Sequence, residues 1–263
     1  MPLPESIYGE PASVMITGAS SGIGAALAEH LGRYRGRLAL LARRGDQLQH
    51  VAEQVRAAGA DRVLAIPCDV TDPEAVKAAH ETIVAAQGPV DVAFLNAGRG
   101  DFTSVARFDA QRLRRMFEVN IFGVAYWLEA LFPEMTGRGR GIIAVTSSLA
   151  AAVGFPGAGG YGATKAALSS LCESLRAEAR QAGVQLTTLE PGLIRTRMSD
   201  PNPVRPFLME PHEAARIIAD EVAEGRRVVR FPWQMAAAIQ VLSHLPPSLF
   251  DRVALKMVKK PKP

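Results

Sequence analysis

Cysteine is scarce in this sequence. Cys68 and Cys172 are the only two among 263 residues, and they lie far apart. They form neither a disulfide framework nor a Cys-x-x-Cys pair, so we expect two free, buried thiols in a reducing compartment. The five histidines show no metal-ligand spacing, and no Gly-x-Ser-x-Gly elbow occurs. The sequence therefore indicates neither a metal site nor a serine hydrolase.

Long apolar runs and a strong charge of one sign are also missing. No stretch of about 18 apolar residues occurs, and Met1–Glu10 lacks the apolar core of a signal peptide. The 30 basic and 26 acidic residues leave a net charge of +4, which does not indicate nucleic-acid binding without a basic cluster. The only such cluster is in the tail, at Lys256, Lys259, Lys260 and Lys262. We expect a cytoplasmic protein that binds no nucleic acid.

Hydrophobic residues make up 48% of the chain, and they form short apolar runs that alternate with helical patterns. The runs predict strands at Ser13–Thr17, Arg37–Ala42, Arg62–Ile66, Asp91–Leu95, Gly141–Thr146, Val184–Leu189 and Arg227–Phe231. The other segments predict helices at Gly22–Tyr34, Asp46–Ala58, Pro73–Ala86, Ala110–Met135, Gly160–Ala182 and His212–Glu224. Strands that are apolar throughout are typical of a parallel sheet covered by helices on both faces. We predict a Rossmann-like, doubly wound α/β domain of about seven strands, with ligands bound where the strands end.

The first predicted strand leads into a glycine-rich loop, Thr17–Gly24, that opens a helix. Its three glycines allow a tight turn and close approach to a pyrophosphate, and the helix N-terminus offers unpaired N–H groups. A glycine triplet also fits an ordinary βα turn, but its position at the first strand–helix junction favours a dinucleotide site. The candidate cofactor-binding residues of the loop are Gly18, Ser20, Ser21, Gly22, Ile23 and Gly24.

The end of the second strand bears on the choice between NAD and NADP. Where NAD sites carry an acid that bonds the ribose 2′-hydroxyl, this chain has Ala42 followed by Arg43 and Arg44. Two guanidinium groups suit a 2′-phosphate, which a carboxylate would repel. The alternative is a solvated arginine pair in a loop. The charge pattern favours NADP.

Two more strand ends hold candidate cofactor contacts. Asp69, followed by Val70, ends the third strand, where it either bonds an adenine amino group or braces the turn into the next helix. Asn96, Ala97 and Gly98 end the fourth strand. Their small size lets the backbone pack against a cofactor, although the same triplet fits a plain turn.

A candidate catalytic set lies in the second half of the chain. Tyr161 and Lys165 have i, i+4 spacing on a predicted helix, so they share one face. An ammonium nearby lowers a tyrosine pKa and so makes the phenol a better general acid/base. Ser148 ends the fifth strand, where it could hold a substrate carbonyl, whereas Ser147 points to the opposite face. Asn120 in mid-helix is unfavourable by propensity and suggests a kink that holds a water, unless it bonds its own backbone.

Together these elements resemble the short-chain dehydrogenase/reductase family in its compact one-domain form. The resemblance covers roughly residues 12–197. The matching elements, in chain order, are Thr17–Gly24, Asp69, Asn96–Gly98, Asn120, Ser148, Tyr161 with Lys165, and Pro191-Gly192 with Thr196.

The resemblance implies a role for each matching residue. Tyr161 would be the proton donor and acceptor, and Lys165 would lower its pKa and bind the nicotinamide ribose. Ser148 would orient the substrate oxygen, and Asn120 would hold a water in a proton relay. The residues implied near the nicotinamide amide are Pro191, Gly192, Ile194 and Thr196.

Two positions depart from the family pattern. A second Asn often precedes Asn96, and here Leu95 stands in its place, a change from which we expect little effect. Many NADP users carry a basic residue just before the second loop glycine, where this chain has Ser21. Arg43, together with Arg44, is left to select NADP, so the selectivity is expected to be incomplete.

The resemblance implies an NADP(H)-dependent oxidoreductase acting on a ketone, an aldehyde or a secondary alcohol. It leaves open whether the enzyme works as a carbonyl reductase or as an alcohol dehydrogenase. The alternative of another class is a non-catalytic NADP-binding sensor or scaffold, which would tend to lose the Tyr or the Lys. The predicted pocket segments, Ala150–Phe155 and Met198–Met209, are mostly apolar, with Arg205 among the exceptions. They favour an apolar or lipid-like substrate.

The last two predictions concern assembly and the C-terminus. We expect a homodimer or homotetramer that pairs the two long helices, with an apolar stripe at Ala167, Leu171, Leu175 and Ala179. Residues 1–231 are predicted to form the catalytic domain and residues 232–263 an amphipathic extension of two helices, the second capped by Ser248. This extension would cover the substrate mouth, pack on a subunit, or make peripheral contact with a membrane.

Overall fold

The structure, a computed structural model, describes residues 4–9, 11–198 and 206–258. Its strands are β1 Ser13–Thr17, β2 Arg37–Ala42, β3 Arg62–Pro67, β4 Val92–Leu95, β5 Gly141–Thr146, β6 Val184–Pro191 and β7 Val228–Phe231. They form one parallel sheet in the order β3-β2-β1-β4-β5-β6-β7. The predicted doubly wound sheet is confirmed. The strand order reverses between β1 and β4, where open α/β sheets form a ligand crevice.

Helices cover both faces of the sheet. They are α1 Pro4–Tyr8, α2 Gly22–Gly32, α3 Gly45–Ala58, α4 Pro73–Gln87, α5 Ala110–Phe117, α6 Gly123–Arg138, α7 Gly159–Gln181, α8 Pro211–Ala223, α9 Trp233–Ser243 and α10 Pro247–Met257. The short helix α1 was not predicted, yet its Tyr8 is fully buried and donates a hydrogen bond to the Ala219 carbonyl oxygen over 2.9 Å. The prediction of one continuous helix over Ala110–Met135 is wrong, because a π-helical segment, Glu118–Phe122, separates α5 from α6.

The two faces of the sheet form two core layers. Val14 and Ile16 of β1 belong to the layer under α2, α3 and α8, whereas Met15 between them belongs to the layer under α4, α6 and α7. This alternation is the period-2 geometry of a strand. Both cysteines are buried, as expected, and burial raises the pKa of each thiol to about 11. Such thiols are poor nucleophiles at neutral pH.

The segment after β6 differs from its prediction as a pocket wall. Ile194 and Met209 form an isolated parallel bridge, and both side chains are buried in the core. Met209 therefore does not line a substrate pocket, because its side chain fills space between the sheet and α8. Arg205 lies outside the described residues.

The two C-terminal helices are both present. Ile239 of α9 is buried, but none of the side chains of α10, all of which the structure describes, is buried. The predicted capping role of Ser248 is wrong, because α10 begins one residue earlier, with Pro246 as its N-cap and Pro247 in its first turn. Throughout the described part of the chain, no helix is both long enough and apolar enough to cross a membrane.

Candidate active site

The glycine loop connects β1 to α2 at the switch point of the sheet. Gly18 and Gly22 have positive φ values of 68° and 61°, a conformation that costs glycine little. A Cβ on Gly24 would lie only 2.5 Å from the Gly18 carbonyl oxygen, so the third glycine allows α2 to start tightly against the turn. No side chain among the described residues caps the N-terminus of α2. Its first N–H groups therefore point into the crevice, as a phosphate-binding site requires.

The loop is held by the end of the neighbouring strand. The Thr17 hydroxyl oxygen accepts hydrogen bonds from the backbone N–H groups of Asn96 and Ala97, at 2.9 and 3.0 Å. The Asn96 amide donates to the Thr17 carbonyl oxygen, and a Cβ on Gly18 would lie 2.9 Å from Ala97 Cα. Asn96 and Ala97 thus hold β4 against the glycine loop, and the small side chain of Ala97 makes the close approach sterically allowed.

The two arginines after β2 point in different directions. The Arg44 guanidinium donates to the hydroxyl oxygens of Ser20 and Ser21, each over 3.1 Å. Arg43 is 65% exposed and lies 4.0 Å from an Asp69 carboxylate oxygen. Sequence reasoning treated the two as a pair and did not foresee that Arg44 would bind the glycine loop. The Arg44 guanidinium therefore lies beside Ser21, the position at which the family resemblance implies a basic residue in many NADP users.

Asp69 and Val70, the residues predicted to contact a cofactor at the end of β3, make most of their contacts within the chain. One Asp69 oxygen accepts from the N–H and the hydroxyl of Thr71, at 3.1 and 2.9 Å. The alternative that Asp69 braces the turn into α4 is therefore realised in the structure. Val70 is buried, and a Cβ on Gly123 of α6 would lie 2.7 Å from its side chain. Only the backbone of Val70 remains to face a cofactor.

Tyr161, on the first turn of α7, lies within reach of the Ser148 hydroxyl, which follows β5. Burial raises the pKa of Tyr161, and the hydrogen bond from Ser148 opposes that rise. The pKa of Tyr161 is therefore not lowered overall as expected, because desolvation by burial is the largest effect on the phenol. The Ser148 hydroxyl also accepts from the Ala150 N–H at 3.1 Å, which fixes its direction.

Lys165 is buried beside Tyr161, one helical turn farther along α7. Its side chain is 2% exposed, and its Nζ donates to the Thr146 carbonyl oxygen over 2.7 Å. Nζ also lies 5.7 Å from the centre of the Tyr161 ring. Burial lowers the pKa of Lys165 to about 8, because an ammonium loses hydration inside the protein. The ammonium has three donors and one acceptor among the described residues, so it retains capacity for hydroxyl groups of a ligand.

The second serine holds the backbone of the same helix. The Ser147 hydroxyl donates to the Lys165 carbonyl oxygen over 2.9 Å and lies 2.7 Å from the Ser169 hydroxyl. Ser147 therefore fixes α7 against β5, and the predicted division of the two serines into one structural and one functional agrees with their positions.

Asn120 lies in the π-helical segment and is fully buried. Its Oδ1 accepts from the Arg99 N–H at 2.8 Å, and its Nδ2 donates to the Arg99 carbonyl oxygen and to the Thr164 hydroxyl. The predicted interruption of the helix is present, and the side chain does not bond its own backbone. Asn120 instead joins the loop after β4 to α7, directly beside Lys165. A Cβ on Gly98 would lie 3.5 Å from Asn120 Oδ1 and 3.7 Å from Lys165 Nζ.

The loop after β6 closes the crevice on the other side. A Cβ on Gly22 would lie 2.9 Å from the Thr196 side chain, and a Cβ on Gly192 would lie 2.6 Å from Met235 Sδ of α9. Pro191 ends β6 and its carbonyl oxygen faces the Ser148 hydroxyl at 3.4 Å. Pro191, Gly192 and Thr196 border the crevice, whereas the Ile194 side chain is buried in the core. The contact of Met235 was not predictable, because it depends on the angle at which α9 packs.

Met198 and Tyr161 both border Gly100. A Cβ on Gly100 would lie 3.3 Å from Met198 Sδ and 3.4 Å from Tyr161 Cδ2. Met198 is 49% exposed, so one side of it faces the phenol and the other faces solvent. Met198 belongs to the second predicted pocket segment, Met198–Met209, and it stands beside the same glycine as Tyr161.

The arrangement fits a nicotinamide dinucleotide. The glycine loop and the uncapped helix α2 suit the pyrophosphate, the arginines suit an additional phosphate, and the free donors of Lys165 suit ribose hydroxyls. The phenol of Tyr161 stands at the far end of the same crevice.

Comparison with known proteins gives the family. The short chain dehydrogenase family model matches residues 12–204. The chain belongs to the short-chain dehydrogenase/reductase family. It is an oxidoreductase of the class that uses NAD or NADP.

Relatives match almost the whole chain. An uncharacterised oxidoreductase from Myxococcus xanthus is 36% identical, over 93% of this chain and 97% of the relative. An alcohol dehydrogenase from Thermococcus sibiricus, solved with 5-hydroxy-NADP, is 31% identical with a TM-score of 0.75 and covers 84% of this chain and 94% of its own. A family member from Burkholderia phymatum, solved with NAD, is 26% identical with a TM-score of 0.81, over 96% of this chain and 98% of its own.

Proposed function

We propose that the chain is an NADP(H)-dependent carbonyl reductase or alcohol dehydrogenase with Tyr161 as its general acid/base. The observation that carries the proposal is the convergence of Tyr161, Ser148, Lys165 and Asn120 on the crevice that the glycine loop opens. A sensor or scaffold would not need a buried lysine beside a partly desolvated phenol, because both cost desolvation energy.

Each residue of the set has a physical role in this proposal. The bound nicotinamide supplies or accepts the hydride. The Ser148 hydroxyl bonds the substrate oxygen and orients it toward the phenol, and Tyr161 donates a proton to that oxygen as negative charge develops on it. Lys165, as an ammonium, stabilises the phenolate that remains. Asn120 keeps the loop after β4 against α7. Its side-chain and backbone carbonyl oxygens would accept hydrogen bonds from a water behind Lys165.

The preference for NADP rests on charge. Arg43 and Arg44 both follow the position where an NAD-specific acid would stand, and Arg44 places its guanidinium on the phosphate loop. One oxygen of the nearest carboxylate, Asp69, accepts from Thr71, and the other lies 4.0 Å from Arg43, at the limit of an ion pair. A 2′-phosphate would therefore meet two cations, each able to form a charge-assisted hydrogen bond.

The proposed substrate is an apolar ketone, aldehyde or secondary alcohol. Met198 beside Gly100, and Leu149 and Met235 beside Gly192, are among the side chains that border the crevice. None of them carries a charge or a strong hydrogen-bonding group, so selectivity would come from shape and from burial of apolar surface.

We further propose a cytoplasmic homodimer or homotetramer. Of the predicted stripe, Ala167 is exposed and Leu171 is half-buried, whereas Leu175 and Ala179 pack in the core of their own subunit. An interface would therefore use only the first half of that stripe, together with the exposed Phe122 of the π-helical segment. Light scattering at micromolar concentration that gives a monomer would contradict the assembly.

The experiment that tests the function is oxidation of NADPH with a panel of apolar ketones and aldehydes, with NADH measured in parallel. We expect turnover with at least one carbonyl and a higher kcat/KM for NADPH than for NADH. Tight NADPH binding without turnover on any carbonyl, or of NADP on the matching alcohols, would favour the sensor instead.

A further inference from the structure

The net charge of this protein lies entirely at its C-terminal end. Residues 232–263 contain five basic residues and one acid, which together equal the +4 of the whole chain. The preceding 231 residues therefore carry 25 basic and 25 acidic side chains and are neutral overall.

Helix α9 is apolar on two sides. Its inner row, Met235 and Ile239, faces the body of the protein, where Ile239 is 4% exposed. Its outer row, at i, i+4 and i+8, consists of Trp233, Ala237 and Val241, and Trp233 is 73% and Val241 65% exposed. The helix contains no charged residue. The inner row anchors α9 beside the crevice, and the outer row is left to solvent.

Helix α10 also carries exposed apolar side chains. Its apolar positions include Leu249 and Met257, which are 43% and 46% exposed. Arg252 and Lys256 stand at the border of the same face, and Lys259, Lys260 and Lys262 follow in the sequence. Exposed apolar side chains bordered by cations are the pattern of a helix that lies in a lipid headgroup region.

We propose that helices α9 and α10 dock on an anionic lipid bilayer, with Trp233, Val241, Leu249 and Met257 in the headgroup region and Arg252 and Lys256 on lipid phosphates. Contact with a second copy of the same two helices is disfavoured, because a two-fold axis would set residues 232–263 of one copy, with a net charge of +4, against the same residues of the other. The neutral body of the chain offers no compensating net charge. Nucleic acid matches the cations but not the exposed apolar rows.

Docking would place the crevice beside the membrane, since Met235 of α9 packs on Gly192. This consequence rests on the proposed function, because it matters only if the substrate is apolar and enters from the lipid. The docking itself needs neither cofactor nor substrate, so a failure to dock and a failure to reduce carbonyls can be told apart.

The test is flotation of the full-length protein with vesicles of phosphatidylcholine, with and without phosphatidylglycerol. We expect binding only to the anionic vesicles, weakened by salt. The chain has two tryptophans, and Trp127 is 1% exposed, so a change in emission reports Trp233. We expect its emission to shift to the blue and iodide quenching to disappear on anionic vesicles, and both signals to be absent in Trp233→Phe.

Two pairs of variants separate the contributions of charge and apolar surface. Arg252→Gln with Lys256→Gln should weaken binding by about thirtyfold, from about 1 kcal/mol for each basic residue, whereas the exposed pair Lys77→Gln with Arg180→Gln on the body should not. Trp233→Gln with Val241→Gln should abolish insertion, whereas Val105→Gln with Phe108→Gln, exposed on the loop before α5, should leave it intact. Retained NADPH binding checks that each variant is folded.

Several results would overturn the proposal. They are equal binding to both kinds of vesicle, binding to neither, binding to duplex DNA in place of vesicles, or self-association that Trp233→Gln with Val241→Gln removes without any vesicle binding. The third would make the segment a nucleic-acid contact and the fourth a protein interface.

Discussion

The two halves of the crevice are built in different ways. On the nucleotide side, Arg43 is 65% exposed and its nearest acid is 4.0 Å away. On the catalytic side, Asn120 and Lys165 are buried, and Asn120 alone makes three hydrogen bonds shorter than 3 Å. Cofactor selectivity is therefore a matter of surface charge that can change at little cost in stability. The catalytic geometry is fixed by buried contacts, and changing it disturbs packing as well as chemistry.

The largest effect is expected at the phenol. Tyr161→Phe keeps the ring and removes the hydroxyl, so kcat should fall at least about a hundredfold, as for loss of a general acid. NADPH affinity should change little, because the substitution leaves the glycine loop and the arginines intact. The matched control is Tyr126→Phe on the half-buried Tyr126 of α6. Turnover near that of the unmodified enzyme would remove Tyr161 from the mechanism.

A smaller effect is expected on the nucleotide side. Arg43→Ala and Arg44→Ala should each weaken NADPH binding by about 1.5–3 kcal/mol, which is the value of a charge-assisted hydrogen bond. NADH binding should hardly change, and unfolding in urea should stay within about 0.5 kcal/mol of the unmodified protein because both side chains are exposed. Combining Ala42→Asp with Arg43→Ala should improve the use of NADH, because the new carboxylate can bond the ribose 2′-hydroxyl.

These variants also decide between the two arginines. Equal losses would mean that both meet the 2′-phosphate, whereas a loss confined to Arg44→Ala would make its contact with Ser20 and Ser21 the selective element. An unmodified enzyme that already uses NADH as well as NADPH would contradict the premise for both.

The pH dependence of turnover concerns the catalytic side. Burial lowers the pKa of Lys165 to about 8 and raises that of Tyr161. Tyr161 thus stays protonated at neutral pH, while Lys165 loses its charge as the pH rises above about 8. Carbonyl reduction at saturating NADPH should therefore decline by about tenfold per pH unit above that value. Activity that is flat to about pH 10 would show that the charge on Lys165 is not required.

The sequence predicted some parts of this molecule better than others, for physical reasons. The strands were found within two residues of their bounds, because apolar runs buried on both faces have no alternative environment. Ser148, Tyr161 and Lys165 stand on the elements predicted for them, because the first follows a strand and the other two are at i, i+4 on a helix. Contacts that depend on side-chain direction were not predictable, such as Arg44 on Ser21 or Met235 on Gly192. The pKa of Tyr161 was misjudged because a sequence shows a neighbouring charge but not the burial that opposes it.

The last expected effect is on stability, measured as a difference in Tm of only several degrees, and it tests whether the burial of Lys165 destabilises the folded protein. The pKa of Lys165 is about 8 in the folded protein, compared with an ordinary value of 10.5. Between these values the unfolded chain holds a proton that the folded protein has lost, so the stability of the unmodified enzyme should rise with pH across this window. The gain is on the order of 3 kcal/mol in total.

Lys165→Met carries no such proton and should lack the rise, although it also leaves the Thr146 carbonyl oxygen without its donor. The difference in Tm between the two proteins should therefore move in favour of the unmodified enzyme by several degrees from about pH 8 to about pH 10. Lys77→Met, at an exposed lysine of α4, is the control that should show no such trend. Parallel curves for Lys165→Met and the unmodified enzyme would mean that Lys165 titrates alike in both states and that the catalytic half pays no electrostatic cost for it.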